Sequence, residues 1–94
     1  IYPEEIEAKL SNQSYIAECV VVERDHKLVA LVYPDFESMK TEGIDEKDLP
    51  EIMAGNRKKA NAELPRYENV SRIELVDTEF DKTPKRNIKR YKYI

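Results

Sequence analysis

Tyr15-Ile16-Ala17-Glu18-Cys19-Val20-Val21-Val22-Glu23-Arg24-Asp25-His26-Lys27-Leu28-Val29-Ala30-Leu31-Val32-Tyr33 is the stretch whose reading decides the fold. Its halves centre on Cys19-Val20-Val21-Val22 and on Leu28 to Val32, apolar runs too short for ordinary helices and too continuous for strands with one wet face. Each predicts a strand covered on both faces. Asp25-His26 is a short polar break between them, so the pair reads as an antiparallel hairpin of two central strands, closed by Pro34.

Working outward, Pro3 suits the first turn of a helix, and Glu4, Glu5 and Glu7 complement the positive end of its dipole. That helix is expected from Pro3 to about Ser11, with Ile6 and Leu10 as a narrow apolar stripe and Asn12-Gln13-Ser14 as its stop. After the hairpin, residues 35 to 43 are polar and read as a loop. Asp45 or Asp48 can cap a second helix reaching Leu64, on which Leu49, Ile52, Met53, Ala60 and Leu64 fall at near-helical spacing. Pro65 ends it, and Val70 to Val76 alternates as a third strand with Ile73 and Leu75 pointing inward. The order helix, strand, strand, helix, strand, basic tail predicts an α+β domain: a small three-stranded sheet with helices packed on its faces.

Ninety-four residues suffice for one domain and one core. With 40% hydrophobic and 37% charged residues, the chain is neither a disordered tail nor a membrane segment. No apolar run approaches the roughly 18 residues of a bilayer span, and no basic-then-greasy leader opens the chain. A soluble, cytoplasmic protein is expected. The opening at Ile1, without methionine and inside a helix-start pattern, reads as a piece of something longer. Cys19 alone cannot close an internal disulfide, and no second cysteine accompanies His26 in a zinc pattern, so no metal site is expected.

Charge divides the chain. Residues 1–56 carry five bases against thirteen acids, whereas residues 57–94 carry eleven bases against six acids. Lys82, Lys85, Arg86, Lys89, Arg90 and Lys92 crowd the end beside Tyr91 and Tyr93, a composition suited either to an anionic partner or to a solvated cationic terminus. His26 reads as a turn residue and Cys19 as a small buried apolar group. Gly43 and Gly55 stand alone, which excludes a glycine-rich phosphate loop.

The remaining signal is Phe80-Asp81-Lys82-Thr83-Pro84-Lys85-Arg86-Asn87-Ile88-Lys89-Arg90. It resembles the last core motif of the adenylate-forming enzymes: Pro-Lys-Thr, two variable residues, Gly-Lys, an aliphatic residue, one variable residue and Arg. The long-chain fatty acid-CoA ligase branch, with Lys-Thr-Pro, a variable residue, then Arg-Lys-Ile-Lys-Arg, is closer still. Ile1-Tyr2-Pro3-Glu4-Glu5-Ile6-Glu7 is similar to the close of the hinge motif that opens their mobile C-terminal domain, and Leu64-Pro65-Arg66-Tyr67 followed by Ile73-Glu74-Leu75-Val76 agrees in order and spacing.

The resemblance implies the lid domain of an AMP-forming acyl-CoA ligase. Its partner would be the N-terminal adenylation domain of the same parent chain, which binds ATP, Mg2+ and the carboxylate. One pose of the lid makes acyl-AMP, and a second admits the coenzyme A thiol; the fragment alone is expected to be inactive. The motif's catalytic lysine falls on Asn87, whose amide donates a hydrogen bond without charge. Three readings stay open: Lys85 or Lys89, two positions away and on the same side if the loop is extended, reaches the site instead, the parent adenylates slowly or uses another cation, or it is specialised or inactive. Arg57, Lys58, Lys59 and Arg66 qualify by charge to meet the phosphates of coenzyme A, against a solvated helix face as the plainer account of the first three. No nucleic-acid partner is expected on this reading, and the parent would touch membranes only peripherally, through its lipid substrate. The rival is a small binding module whose basic, tyrosine-bearing tail holds RNA or an acidic protein.

Overall fold

The computed structural model describes residues 3–93, so Ile1 and Tyr2 of the hinge-like stretch lie outside the described residues. Helix α1 spans Pro3–Ser11, strands β1 and β2 span Ile16–Arg24 and Lys27–Pro34, helix α2 spans Phe36–Glu42, helix α3 spans Leu49–Ala62, and strand β3 spans Arg72–Leu75. The sheet runs β1-β2-β3. β1 and β2 are antiparallel, with Val21 opposite Ala30, while β3 lies parallel to β2, with Ile73 opposite Ala30. A parallel neighbour cannot be reached by a tight turn, and α2 and α3 provide the crossover.

The hairpin forms as its sequence demands. Asp25 and His26 sit at φ 51° and 63°, left-handed conformations that a two-residue hairpin loop requires and that Asp and His tolerate better than most residues. The run Cys19 to Val22 is buried throughout, its side chains alternating between two cores. Cys19 and Val21 join Ile6, Leu10, Ala30, Val32, Met53 and Ala60 under the helices. Val20 and Val22 join Val29, Leu31 and Phe80 on the other face, with Ile88 and Tyr93 packed against them. Burial on both faces is therefore as expected, but only β2 is central. β1 is an edge strand, protected along its outer side by α1 and the tail rather than by a fourth strand.

Residues 35 to 43 are not a loop. Asp35 caps α2, its carboxylate accepting from the Ser38 N–H at 3.2 Å and the Ser38 hydroxyl at 2.8 Å. Gly43 closes it at φ 72°, with the Ile44 N–H on the Met39 carbonyl at 2.8 Å. Met39 alone is buried from this helix, so its hydrophobic period was too sparse to read and only its caps announced it. At the next start, Asp45 accepts from the Lys47 N–H and sets a 3-10 turn at Glu46–Asp48, while Asp48 makes no side-chain cap to α3.

The third strand is shorter than the expected Val70 to Val76. Ile73 packs against the helical core as foreseen. Leu75 does not complete the pattern: it faces the α3 side but remains 40% exposed, lining an open groove with Ile73, Pro50, Met53 and Ala54 because no element among the described residues covers the outer edge of β3.

Candidate functional site

The basic tail folds back on itself as a tight hairpin. Lys82 bridges Ile88 in antiparallel fashion, the Lys89 N–H donates to the Asp81 carbonyl at 2.8 Å, and the Thr83 N–H donates to the Asn87 carbonyl at 2.8 Å. Pro84 presets the turn, whose Arg86 N–H returns to the Thr83 carbonyl at 2.8 Å, and the Asn87 N–H reaches the Thr83 hydroxyl at 3.2 Å. Such a three-residue loop needs a left-handed residue at its end, where glycine is the natural occupant. Arg86 stands there at φ 66°. The cost of holding a side chain in that conformation is about 1–2 kcal/mol.

The hairpin is seated on the second face of the sheet. Phe80 is 4% exposed, and the Tyr93 ring meets it edge-on with centroids 5.0 Å apart. The Tyr93 hydroxyl accepts from the Asp81 N–H at 2.8 Å, and the Phe80 N–H donates to Glu18 at 3.2 Å. Ile88 turns inward and Lys82 pairs with Glu18 on β1. Their chain neighbours Thr83 and Asn87 therefore turn away from the sheet.

This arrangement sorts the cations. Lys82 is held by Glu18, which raises its pKa; Lys92 is held by Asp81 at 2.7 Å, which raises the lysine and lowers the acid. Arg90 is held by Glu7, whose hydrogen bonds raise its pKa. Lys85, Arg86 and Lys89 make no ion pair among the described residues. Lys85, Arg86 and Asn87 are exposed at the tip, whereas Lys89 is half-buried beside Asp81. The segment is a closed turn rather than an extended loop. Lys89 still alternates onto the side that Asn87 faces, but Lys85 is carried to the apex. Of the two tyrosines, Tyr91 is 71% exposed and Tyr93 is folded onto Phe80, so they do not form a joint stacking platform.

The cations named for coenzyme A lie elsewhere. Lys58 and Lys59 are exposed on α3, and Arg66 is exposed on the 3-10 turn after it. α3 packs on the face of the sheet opposite the tail, so the structure does not bring them to the hairpin. Arg57 has a local task instead. It donates to the Val70 carbonyl at 3.3 Å, and Asn61 bonds both the N–H and the carbonyl of Val70, fastening the approach to β3. Cys19 is buried as expected; desolvation pushes its thiol up to about 11, the Ser11 hydroxyl opposing, which suits an inert packing group. Among the described residues no cluster of His, Cys, Asp or Glu could hold a metal ion, and no helix is long and apolar enough to cross a membrane.

One pairing escaped the sequence reading. Glu7 is not a dipole-complementing residue of the first turn: its carboxylate takes both terminal nitrogens of Arg90, with Nη2 at 2.7 Å from Oε1, and also accepts the Val21 N–H at 2.7 Å. Glu7 closes the hinge-like stretch and Arg90 closes the last motif, so the two ends of the resemblance meet in space.

Comparison with known proteins agrees with this architecture. Residues 5–87 match the family model described as AMP-binding enzyme C-terminal domain. The adenylation domain of a carboxylate reductase from Mycobacterium chelonae superposes with a TM-score of 0.80 at 18% identity, covering 98% of this chain and 16% of that one. An acyl-CoA synthetase from Brucella canis gives 0.72 at 23% identity, covering 97% and 16%. A benzoate CoA ligase from Burkholderia xenovorans gives 0.68 at 24% identity, covering 98% and 18%. The chain thus spans less than a fifth of the length of each of these relatives. No curated protein sequence matches it.

Proposed function

Because this chain belongs to the AMP-binding enzyme C-terminal domain family, we propose that it is the mobile lid of an AMP-forming, cytoplasmic acyl-CoA ligase acting on long-chain fatty acids. The parent's larger adenylation domain would bind ATP, its Mg2+ and the fatty acid. The carboxylate oxygen attacks the α-phosphorus, pyrophosphate leaves, and negative charge builds on the phosphoryl oxygens between them. A cation brought by the lid stabilises that charge in a water-poor site and withdraws afterwards. In the second step the coenzyme A thiol attacks the acyl carbonyl and AMP leaves.

The observation that carries this reading is the division of the tail cations. Lys82, Arg90 and Lys92 hold the hairpin together, while Lys85 and Arg86 precede Asn87 at its exposed tip and make no ion pair among the described residues. Asn87 supplies an amide where the resemblance expects an ammonium, and Lys85 or Lys89, long and flexible, supplies the charge from two positions away. The fatty acid assignment rests on Thr83-Pro84-Lys85-Arg86 and Ile88-Lys89-Arg90, and Lys58, Lys59 and Arg66 remain the proposed contacts for coenzyme A phosphates in the second pose.

The test is single-turnover chemistry on the full-length parent across a series of carboxylates. Lys85→Ala or Lys89→Ala should lower acyl-AMP formation by about 10²-fold, the magnitude of removing one well-placed donor. Normal adenylation and normal thioester synthesis by both variants would end the compensating-lysine idea. A preference for aromatic or short acids would remove the fatty acid assignment.

A further inference from the structure

We infer that Glu7 and Arg90 form a positioning clamp that sets where the tail hairpin points, a role resting on the lid function proposed above. The role is one of positioning, exerted through the hairpin rather than on the reacting atoms. The pair joins α1, which carries the end of the hinge-like stretch, to the end of the last motif, residues 83 positions apart in sequence. Both side chains are largely covered, at 15% exposure for Glu7 and 29% for Arg90, so the bidentate contact is shielded from solvent more than an ordinary surface pair.

The clamp closes across the outer edge of β1. Glu7 accepts the Val21 N–H at 2.7 Å and Arg90 donates to the Val21 carbonyl at 3.3 Å, so two side chains complete the hydrogen bonds that a fourth strand would otherwise make there. The rest of the hairpin is anchored differently. Phe80 and the Lys82–Glu18 pair fix its incoming strand on the second face of the sheet, while the outgoing strand is fixed by Ile88 and, beyond it, by Arg90. Without Arg90 the outgoing strand loses the one ion-paired anchor to α1 among the described residues, and the hairpin can pivot on Phe80. Misplacing the tip by about 1 Å is enough to cost a step that depends on it about 10²-fold. The thioester step, carried out in the other pose, does not use the tip and should be spared.

The experiment separates the half-reactions in the full-length parent. For Arg90→Met we expect acyl-AMP formation to fall by about 10²-fold with the KM for ATP little changed, and thioester formation from supplied acyl-AMP to stay within about threefold of normal. Arg90→Lys should behave alike, because it keeps the charge but loses the fork. Amide exchange should quicken over residues 83–89 in the single variants while β2 stays protected. An equal fall in both half-reactions would overturn the proposal in favour of a purely structural pair, as would normal adenylation by Arg90→Lys. If Arg90→Met does not fold, Arg90→Lys decides. A wild-type parent that forms acyl-AMP from none of the carboxylates in the series refutes the lid function itself; unchanged exchange over 83–89 in the variants refutes the clamp alone.

Discussion

The two faces of this one sheet are covered by different means. On one, α1 and α3 lay continuous apolar stripes over Cys19, Val21, Ala30 and Val32. On the other, an irregular tail covers Val20, Val22, Val29 and Leu31 with Phe80 and the half-buried Val76, Ile88 and Tyr93. The helical face is redundant, since α1 contributes Ile6 and Leu10, α3 contributes Leu49, Met53 and Ala60, and each helix has its own hydrogen bonds. The tail face hangs on a few contacts. Such a division suits the lid role proposed above, with the body resistant to opening and the presenting segment adjustable through single residues.

Truncating the anchor of each face breaks the comparison most directly. Phe80→Ala should cost about 3–5 kcal/mol in the contacts it removes, with faster amide exchange concentrated in residues 77–93. Leu10→Ala should cost about 2–5 kcal/mol and loosen α1 and α3 with the sheet, because it opens the shared helical core. Exchange patterns that are the same for both would show that the faces do not differ in cooperativity.

A smaller effect sharpens the contrast between the two turns. At the β1–β2 hairpin the left-handed positions hold Asp25 and His26, which accept that conformation readily; at the tail hairpin the position holds Arg86. Arg86→Gly should therefore stabilise the domain by about 1 kcal/mol in thermal unfolding. No gain, or a loss, would show that the Arg86 side chain makes contacts that offset its backbone strain.

The smallest signal concerns the helical face alone. Cys19 has its thiol pushed up to about 11 by burial, so at pH 8 it is almost wholly protonated as well as covered. Reaction with a disulfide reagent should be limited by opening of the fold and should become rapid in denaturant. Prompt labelling in native buffer would contradict a tightly closed helical face.

Which parts were legible follows from how each is held. The β1–β2 hairpin and α1 were readable because continuous valine runs and the Ile6–Leu10 stripe are local signals of period and propensity. α2 was not, because one buried residue, Met39, gives no period and its information lies in Asp35 and Gly43. The edge position of β1 and the exposure of Leu75 depend on strand order, which no local pattern encodes. At the site, the resemblance located the tail segment and the substitution at Asn87, but treating the segment as extended hid its turn and the apical place of Lys85. Glu7 read naturally as a helix-dipole residue, since its true partner Arg90 is 83 positions away and only the folded chain brings them together.

The central claim is that the tail hairpin serves acyl-AMP formation in a site that another domain builds. Single-turnover adenylation by the full-length parent lacking residues 81–93 tests it most directly. ATP binding should survive with little change, and acyl-AMP formation should fall by at least about 10²–10³-fold, the loss expected when a preorganised transition-state donor is removed. Full-rate acyl-AMP formation without the hairpin would contradict the claim outright.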